Sequence, residues 1–224
     1  MNERETLRSF DERAEQYDAW YDNNPAFAVE LAALRASTMV LPRPRLEIGV
    51  GSGRFARALQ VEFGLDGAFS PLLIAARRRI MSVNGMASHL PFRSQAIGTI
   101  YLLFTLCFLA EPGLVLGECS RILLPAGRLL IGMIPAGSAW GKRAAERARE
   151  KDSFYRHAHI RSIDETVRLL EANGFAVRES WSTLLQPPGR DIVPEEPIRG
   201  ALEDAGFCVL ISGREERKQC ADPT

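Results

Sequence analysis

Apolar positions recur along this chain in two rhythms. Phe10, Ala14, Tyr17 and Tyr21 follow one another at spacings of three and four, the signature of one helix face. A second helix is expected from Pro25 to about Met39, so residues 1–40 read as an N-terminal helical cap. The prolines of "LPRPR" (41–45) end that rhythm, because proline restricts both itself and the residue before it. Short apolar runs then alternate with amphipathic stretches. Strands are expected in "RLEIGV", "GLDGAF", "MSVNGMA", "AIGTIYLLFTL" and "PAGRLLIGMIP", and helices in "GRFARALQVEF", "SPLLIAARRRI" and "EPGLVLGECSRIL". This alternation predicts an α/β domain, a parallel sheet with helices on both faces.

The rhythm changes at 136–161, which is long, charged and helix-prone with aromatics at both ends. It exceeds a simple connection and reads as a helical lid or insertion. "SIDETVRLLEANGF" then carries a full set of helix signals: Ser162 as cap, Glu165 completing a capping box, and Gly174 as the stop. Two further strands, "AVRESWSTLL" and "GFCVLISGR", flank a Pro-rich irregular stretch. The main domain therefore spans 41–213, and 214–224 is expected to be a frayed tail.

Composition narrows the partners. The 224 residues are 46% hydrophobic, which suits one domain of ordinary size. The 28 basic residues match the 28 acidic ones, so no global charge draws a polyanion, and nucleic acid is not expected as a partner. The charged N-terminus lacks the apolar core of a secretory signal. The longest apolar run, Ile100 to Ala110, is too short to span a bilayer. A cytoplasmic protein with no membrane span is expected. Cys107, Cys119, Cys208 and Cys220 form no CxxC pair and histidines are few, so neither a metal site nor a disulfide framework is expected.

The densest chemical signal is "LEIGVGSGRFA" (46–56). Gly49, Gly51 and Gly53 fall where the first strand meets the first helix, at the sheet edge where ligands bind in such folds. Glycine there permits a tight turn and lets a ligand rest against bare backbone. The dinucleotide fingerprint asks for a further glycine at position 54, which is Arg54 here. GxGxG favours a nucleoside without a pyrophosphate. Asp66, at the end of the second strand, can accept hydrogen bonds from both ribose hydroxyls.

With these pieces the chain resembles the class I S-adenosylmethionine-dependent methyltransferases, in particular the methyltransferase type 11 group that includes ubiquinone-biosynthesis C-methyltransferases. "LEIGVGSGRFA", "GLDGAFSPLLIAARRR", "GMASHLPF" and "ECSRILLPAGRLLIG" occur in family order, over roughly residues 10–180. The resemblance implies a Rossmann-like seven-stranded sheet, order 3-2-1-4-5-7-6, with strand 7 antiparallel. It implies S-adenosyl-L-methionine as cofactor. Glu47, Gly49, Val50, Gly51 and Gly53 would border its methionine part, Asp66 and Gly67 its ribose, and Ala68, Phe69, Met86 and Ala87 its adenine. Met86 stands where the family often has Asp. Leu102, Leu103 and Phe104 would lie at the carboxyl end of the fourth strand, beside the transferring methyl.

A sulfonium methyl is already an activated electrophile, so orientation alone can carry much of the rate and no acid or base is required. Candidates outside the core have two readings each. Tyr17 could reach the cofactor carboxylate and Trp20 could wall the pocket, or both could simply anchor the helix. His157 and His159 could serve as base or substrate contact, or form a surface pair. Trp140 could plug the pocket or staple the insertion. Arg77, Arg78 and Arg79 read as a charge cluster at a helix C-terminus. The leading expectation is methyl transfer by in-line displacement to a small, partly hydrophobic acceptor. The alternatives are a cofactor-binding module with weak, lost or regulatory activity, and a nicotinamide dehydrogenase, which Arg54 disfavours.

Overall fold

The computed structural model describes residues 3–22, 24–150 and 153–215. One sheet is built from β1 (Arg45–Ile48), β2 (Phe63–Asp66), β3 (Met81–Asn84), β4 (Ile97–Leu103), β5 (Leu123–Met133), β6 (Phe175–Thr183), β7 (Ile198–Arg199) and β8 (Phe207–Arg214), in the order β3-β2-β1-β4-β5-β8-β6-β7. The first five strands run parallel, and β8 lies antiparallel between β5 and β6. Without the two-residue β7, the order is the 3-2-1-4-5-7-6 that the resemblance implied. β7 is an extra edge strand contributed by the Pro-rich stretch, pairing Arg199 with Trp181.

Alternation along the strands sends successive side chains to opposite faces. On one face Leu46, Ile48, Ile100, Leu102, Leu129 and Ile131 pack beneath α6 (Pro112–Ile122) and α8 (Ile163–Ala172). On the other, Val50, Tyr101, Leu103 and Leu130 pack beneath α3 (Pro25–Arg35), α4 (Arg54–Ala58) and α5 (Phe69–Arg77). Burial of these apolar side chains, each worth about 1.5–3 kcal/mol, fixes which face every strand residue presents. Two helices precede α3, namely α1 (Glu3–Glu12) and α2 (Ala14–Ala19), and α7 (Ala139–Arg147) lies in the insertion.

Several helices are shorter than expected. The N-terminal helix breaks at Arg13 (φ −126°, ψ 27°), and α3 ends at Arg35 rather than near Met39. The helix expected over "GRFARALQVEF" stops at Ala58, because the chain turns through Gln60 at φ 56°. Its last carbonyls are taken by two distant arginines, Arg35 on Ala58 O (2.7 Å) and Arg45 on Leu59 O (3.1 Å), which satisfies the groups a helix end leaves open. Among its described residues the insertion holds α7 and a 3-10 turn at Phe154–His157. The α8 capping box forms as read, Ser162 Oγ accepting from the Glu165 amide at 3.1 Å and Glu165 Oε2 from the Ser162 amide at 2.8 Å. The expected tail, Cys220 included, lies outside the described residues from position 216 onward. Among the described residues no helix is long and apolar enough to cross a membrane.

Candidate active site

The carboxyl ends of β1, β2 and β4 open onto a narrow crevice of about 100 Å3, lined by Ile48, Gly49, Gly51, Asp66, Gly67, Met86, Ala87, Leu103 and Phe104. Gly49 and Gly51 take φ of +72° and +50°, a region that side-chain-bearing residues rarely adopt. The loop is also crowded. A β-carbon on Gly49 would lie 2.2 Å from Thr105 Oγ1, and one on Gly51 3.2 Å from Tyr17 Cε1. Asp66 braces the loop from below, its carboxylate accepting from the Gly51 amide at 2.8 Å and the Ala68 amide at 2.9 Å. Burial raises the Asp66 carboxyl above its ordinary range, although these amides oppose the shift. Beside it, Glu47 is 3% exposed and its Oε2 has no hydrogen-bond partner. Burial, then the neighbouring Asp66 charge, pushes its carboxyl well above the usual range.

The N-terminal helices cover this crevice. Thr6, Leu7 and Phe10 of α1 line it, and Asp11 accepts from the Ser70 amide at 2.6 Å. The α2 helix is fastened to the glycine loop by an ion cluster. Asp18 pairs with Arg54 (2.7 Å) and Arg78 (2.9 Å), Arg54 also reaches Asp22, and Arg78 donates to Ser52 O at 2.7 Å. Burial works against the Asp18 charge, yet the two guanidiniums outweigh it and hold this carboxyl well below the usual carboxylate range. Arg78 is therefore a specific tie rather than one of three helix-end charges. Arg54, which disfavoured a dinucleotide, is a bolt for α2.

Beyond the crevice lies a second cavity of about 490 Å3. Phe10, Tyr17, Phe104 and Phe108 line both spaces. Phe104 has φ 54°, a strained conformation of the kind that clusters at functional sites. Its ring stacks on Phe207 at 5.0 Å. Phe10, Tyr17 and Phe154 form a mutual cluster with centroids 5.2–5.5 Å apart. Tyr17 is bonded to the Tyr21 hydroxyl at 3.3 Å, and burial pushes its phenol up to about 12. Trp140 both staples and lines: its indole N–H donates to Gln186 O at 2.8 Å while its ring faces the cavity. Trp20, Tyr21 and Tyr155 complete the aromatic wall, and Glu30 is its one buried acid.

Several expected positions sit elsewhere. Leu102 is fully buried on the α6 and α8 face, because strand alternation turns it away from its neighbour Leu103. Val50 and Ala68 are buried, Gly53 packs against Ala75, and Phe69 is 56% exposed on α5. None of the four lines the crevice. Glu47 points to the α4 side of β1 rather than into the open space. His157 faces α1, with Nε2 3.4 Å from Glu5 Oε2, and His159 is exposed with its amide on Cys107 O. Neither histidine lines either cavity. Residues that pattern reading passed over are Thr105, Phe108 and Glu30. Only Glu30 carried a signal, as the lone charge on the apolar face Ala26, Val29, Ala33 and Leu34 of α3.

A family model described as a methyltransferase domain matches residues 46–131. An uncharacterized protein of Mycobacterium tuberculosis is 38% identical over 212 residues, covering 93% of this chain and 74% of its own. An uncharacterized protein of Methanocaldococcus jannaschii is 30% identical over 206 residues, covering 91% and 98%. A crystal structure from Thermotoga maritima, described as an SAM-dependent methyltransferase and possible histamine N-methyltransferase, superposes with a TM-score of 0.85 at 27% identity, over 94% of this chain and 100% of that one. The chain belongs to the class I S-adenosylmethionine-dependent methyltransferases. It is an enzyme that transfers methyl groups and uses S-adenosylmethionine as cofactor.

Proposed function

We propose that the crevice holds the methyl donor, that the aromatic cavity holds a small, partly hydrophobic acceptor, and that transfer is an in-line displacement across their shared wall. The observation that carries this reading is the wall itself: Phe10, Tyr17, Phe104 and Phe108 border both spaces. A cavity of about 490 Å3 falls in the range of small-molecule sites.

The residues present suit the cofactor. Side-chain-free backbone at Gly49 and Gly51 and a braced carboxylate at Asp66 are what a polar nucleoside requires. When bound, S-adenosylmethionine supplies a methyl on positively charged sulfur, ready for a nucleophile. The protein's own part is placement. Asp66 would hold the ribose hydroxyls, Met86 and Ala87 would border the adenine, and Leu103 with Phe104 would keep water from the reacting end. Tyr17 stays protonated and serves as a hydrogen-bonding wall. At about 100 Å3 the crevice is smaller than an adenosyl group needs, so Leu7 and Phe10 of α1 would shift outward on binding.

Calorimetry with S-adenosylhomocysteine, paired with turnover on a panel of apolar small acceptors, tests the proposal. Phe104→Trp should leave S-adenosylhomocysteine affinity within about threefold and abolish turnover. Tight binding with no turnover on any small acceptor would overturn the acceptor assignment. Absence of binding to the wild-type protein would overturn the crevice.

A further inference from the structure

We propose that the acceptor is an amine with an apolar body, and that Glu30 is the carboxylate that holds its ammonium group and takes the proton the nitrogen must shed before methylation. This rests on the acceptor occupying the aromatic cavity, as proposed above. Glu30 sits on the buried face of α3, is 9% exposed and lines the cavity. Among the described residues its carboxylate has no recorded hydrogen bond or ion pair. Other half-buried or buried carboxylates of the fold are occupied: Glu179 binds Ser37, Thr38 and Trp181, and Asp66 binds two amides. Glu47 also has an open carboxyl oxygen, and it belongs beside the glycine loop.

An uncompensated carboxylate in such a place is costly. Burial alone pushes the Glu30 carboxyl up to about 8. The ionisable groups that interact with it are phenols, Tyr21 just after α2 and Tyr155 of the 3-10 turn, which burial keeps protonated. The cations of the lining do not neutralise it. Arg13 lies over the Phe154 ring at 4.0 Å and bonds Ser9. Arg143 and Arg147 of α7 are exposed at the rim, with Glu150 beside them. The inner wall thus presents one buried acid among aromatic faces, an environment that favours an organic cation through the ring quadrupoles and through the ionisation of Glu30 that the cation stabilises. A hydroxyl or anionic acceptor brings no positive charge that would draw Glu30 into its ionised form.

The proton balance closes. An ammonium R–NH3+ beside the Glu30 carboxylate passes one proton to it, giving R–NH2 and a neutral carboxylic acid. The same burial that raises the carboxyl lowers the amine, so the transfer approaches thermal neutrality. The freed nitrogen pair forms the N–C bond as the C–S bond breaks, its electrons staying on sulfur. The product is a methylated ammonium, and the proton on Glu30 leaves to solvent.

The test is calorimetry of 2-phenylethylamine and 2-phenylethanol on protein saturated with S-adenosylhomocysteine, for wild type and Glu30→Gln. The amine should bind the wild type with proton release approaching one at pH 7, read from heats in buffers of different ionisation enthalpy. Its affinity should climb by up to about tenfold per pH unit below pH 8 and then level off. Glu30→Gln should weaken the amine by about 30-fold or more, erase the proton release and the pH dependence, and leave the alcohol within about threefold. Mass spectrometry of wild-type turnover should place the methyl on nitrogen. Equal amine binding by the variant, preference for the alcohol, or a methyl on carbon would each overturn the inference. S-adenosylhomocysteine affinity, measured on both proteins, separates the failures. If it is intact while amine preference is absent, only this inference falls. If neither probe enters the wild type, the placement of the acceptor falls first.

Discussion

The crevice and the aromatic cavity share a wall but are built on opposite principles. The crevice is made from strand ends and the turn that follows them, and most of its polar groups are tied to the fold: Asp66 braces Gly51 and Ala68, and Gly49 donates to Leu65 O at 2.7 Å. The cavity is made largely from segments outside the strand–helix repeat, namely α1, α2, α3, α7 and the turn at Phe154–His157, laid over Phe104, Ile134, Leu184 and Gly206 at the sheet edge. Its walls are aromatic rings, and its one buried acid, Glu30, is uncommitted. A site fixed by the sheet serves a ligand common to the whole family. A site fixed by appendages serves one that differs from member to member.

The sharpest way to break this comparison is to fill the crevice. Gly51→Val combines an unfavourable φ with a side chain directed at Tyr17, and should reduce S-adenosylhomocysteine affinity by about 100-fold or more in calorimetry. Affinity near that of the wild type would mean the glycine serves the turn alone. Asp66→Ala should cost about 1–3 kcal/mol of cofactor binding. Because the Asp66 carboxyl is raised, it keeps its proton to higher pH than an ordinary aspartate. Cofactor affinity should therefore fall as pH is lowered toward 5, and a flat profile would remove the carboxylate from the contact.

The cavity answers a different probe. An unfolded glutamate ionises near 4.5 and folded Glu30 near 8, so its contribution to stability is fully present below pH 4.5 and is lost as pH rises to about 8. Glu30→Gln should accordingly melt higher than wild type at pH 9, by the equivalent of about 1–3 kcal/mol, with the gap closing near pH 5. A variant less stable at every pH would show that the carboxylate supports the fold. Smallest of all, His157→Ala should change turnover by less than about threefold, since the imidazole faces Glu5 and not a cavity. A loss of a hundredfold would restore it as a base.

Legibility in the sequence follows the same division. The alternation of strands and helices, the glycine turn and the α8 capping box could be read because each rests on local pattern, such as Ser162 followed by Glu165, whereas the strand order came only from the family resemblance. Leu102 was misplaced beside Leu103 because an apolar run hides which residue faces which layer until the neighbouring helices are known. The short α4 was missed because its end is set by Arg35 and Arg45, far away in the chain. The His157 and His159 pair drew notice by residue type, whereas Glu30 was passed over although its neighbours Ala26, Val29, Ala33 and Leu34 mark the buried face of α3. Thr105 and Phe108 acquire meaning only once α1 folds over the edge.

The break at Arg13 leaves the two halves of the N-terminal arm held with unequal force. The half after it is bolted by the half-buried cluster of Asp18, Arg54 and Arg78, while the ties of the half before it include the Asp11 contact to Ser70, the Glu5 contact to His157 and the side chains of Leu7 and Phe10. Donor exchange would then need only the outer flap to swing. Because Phe10 of that flap borders both spaces and stacks on Phe154, the same swing would loosen the wall between them.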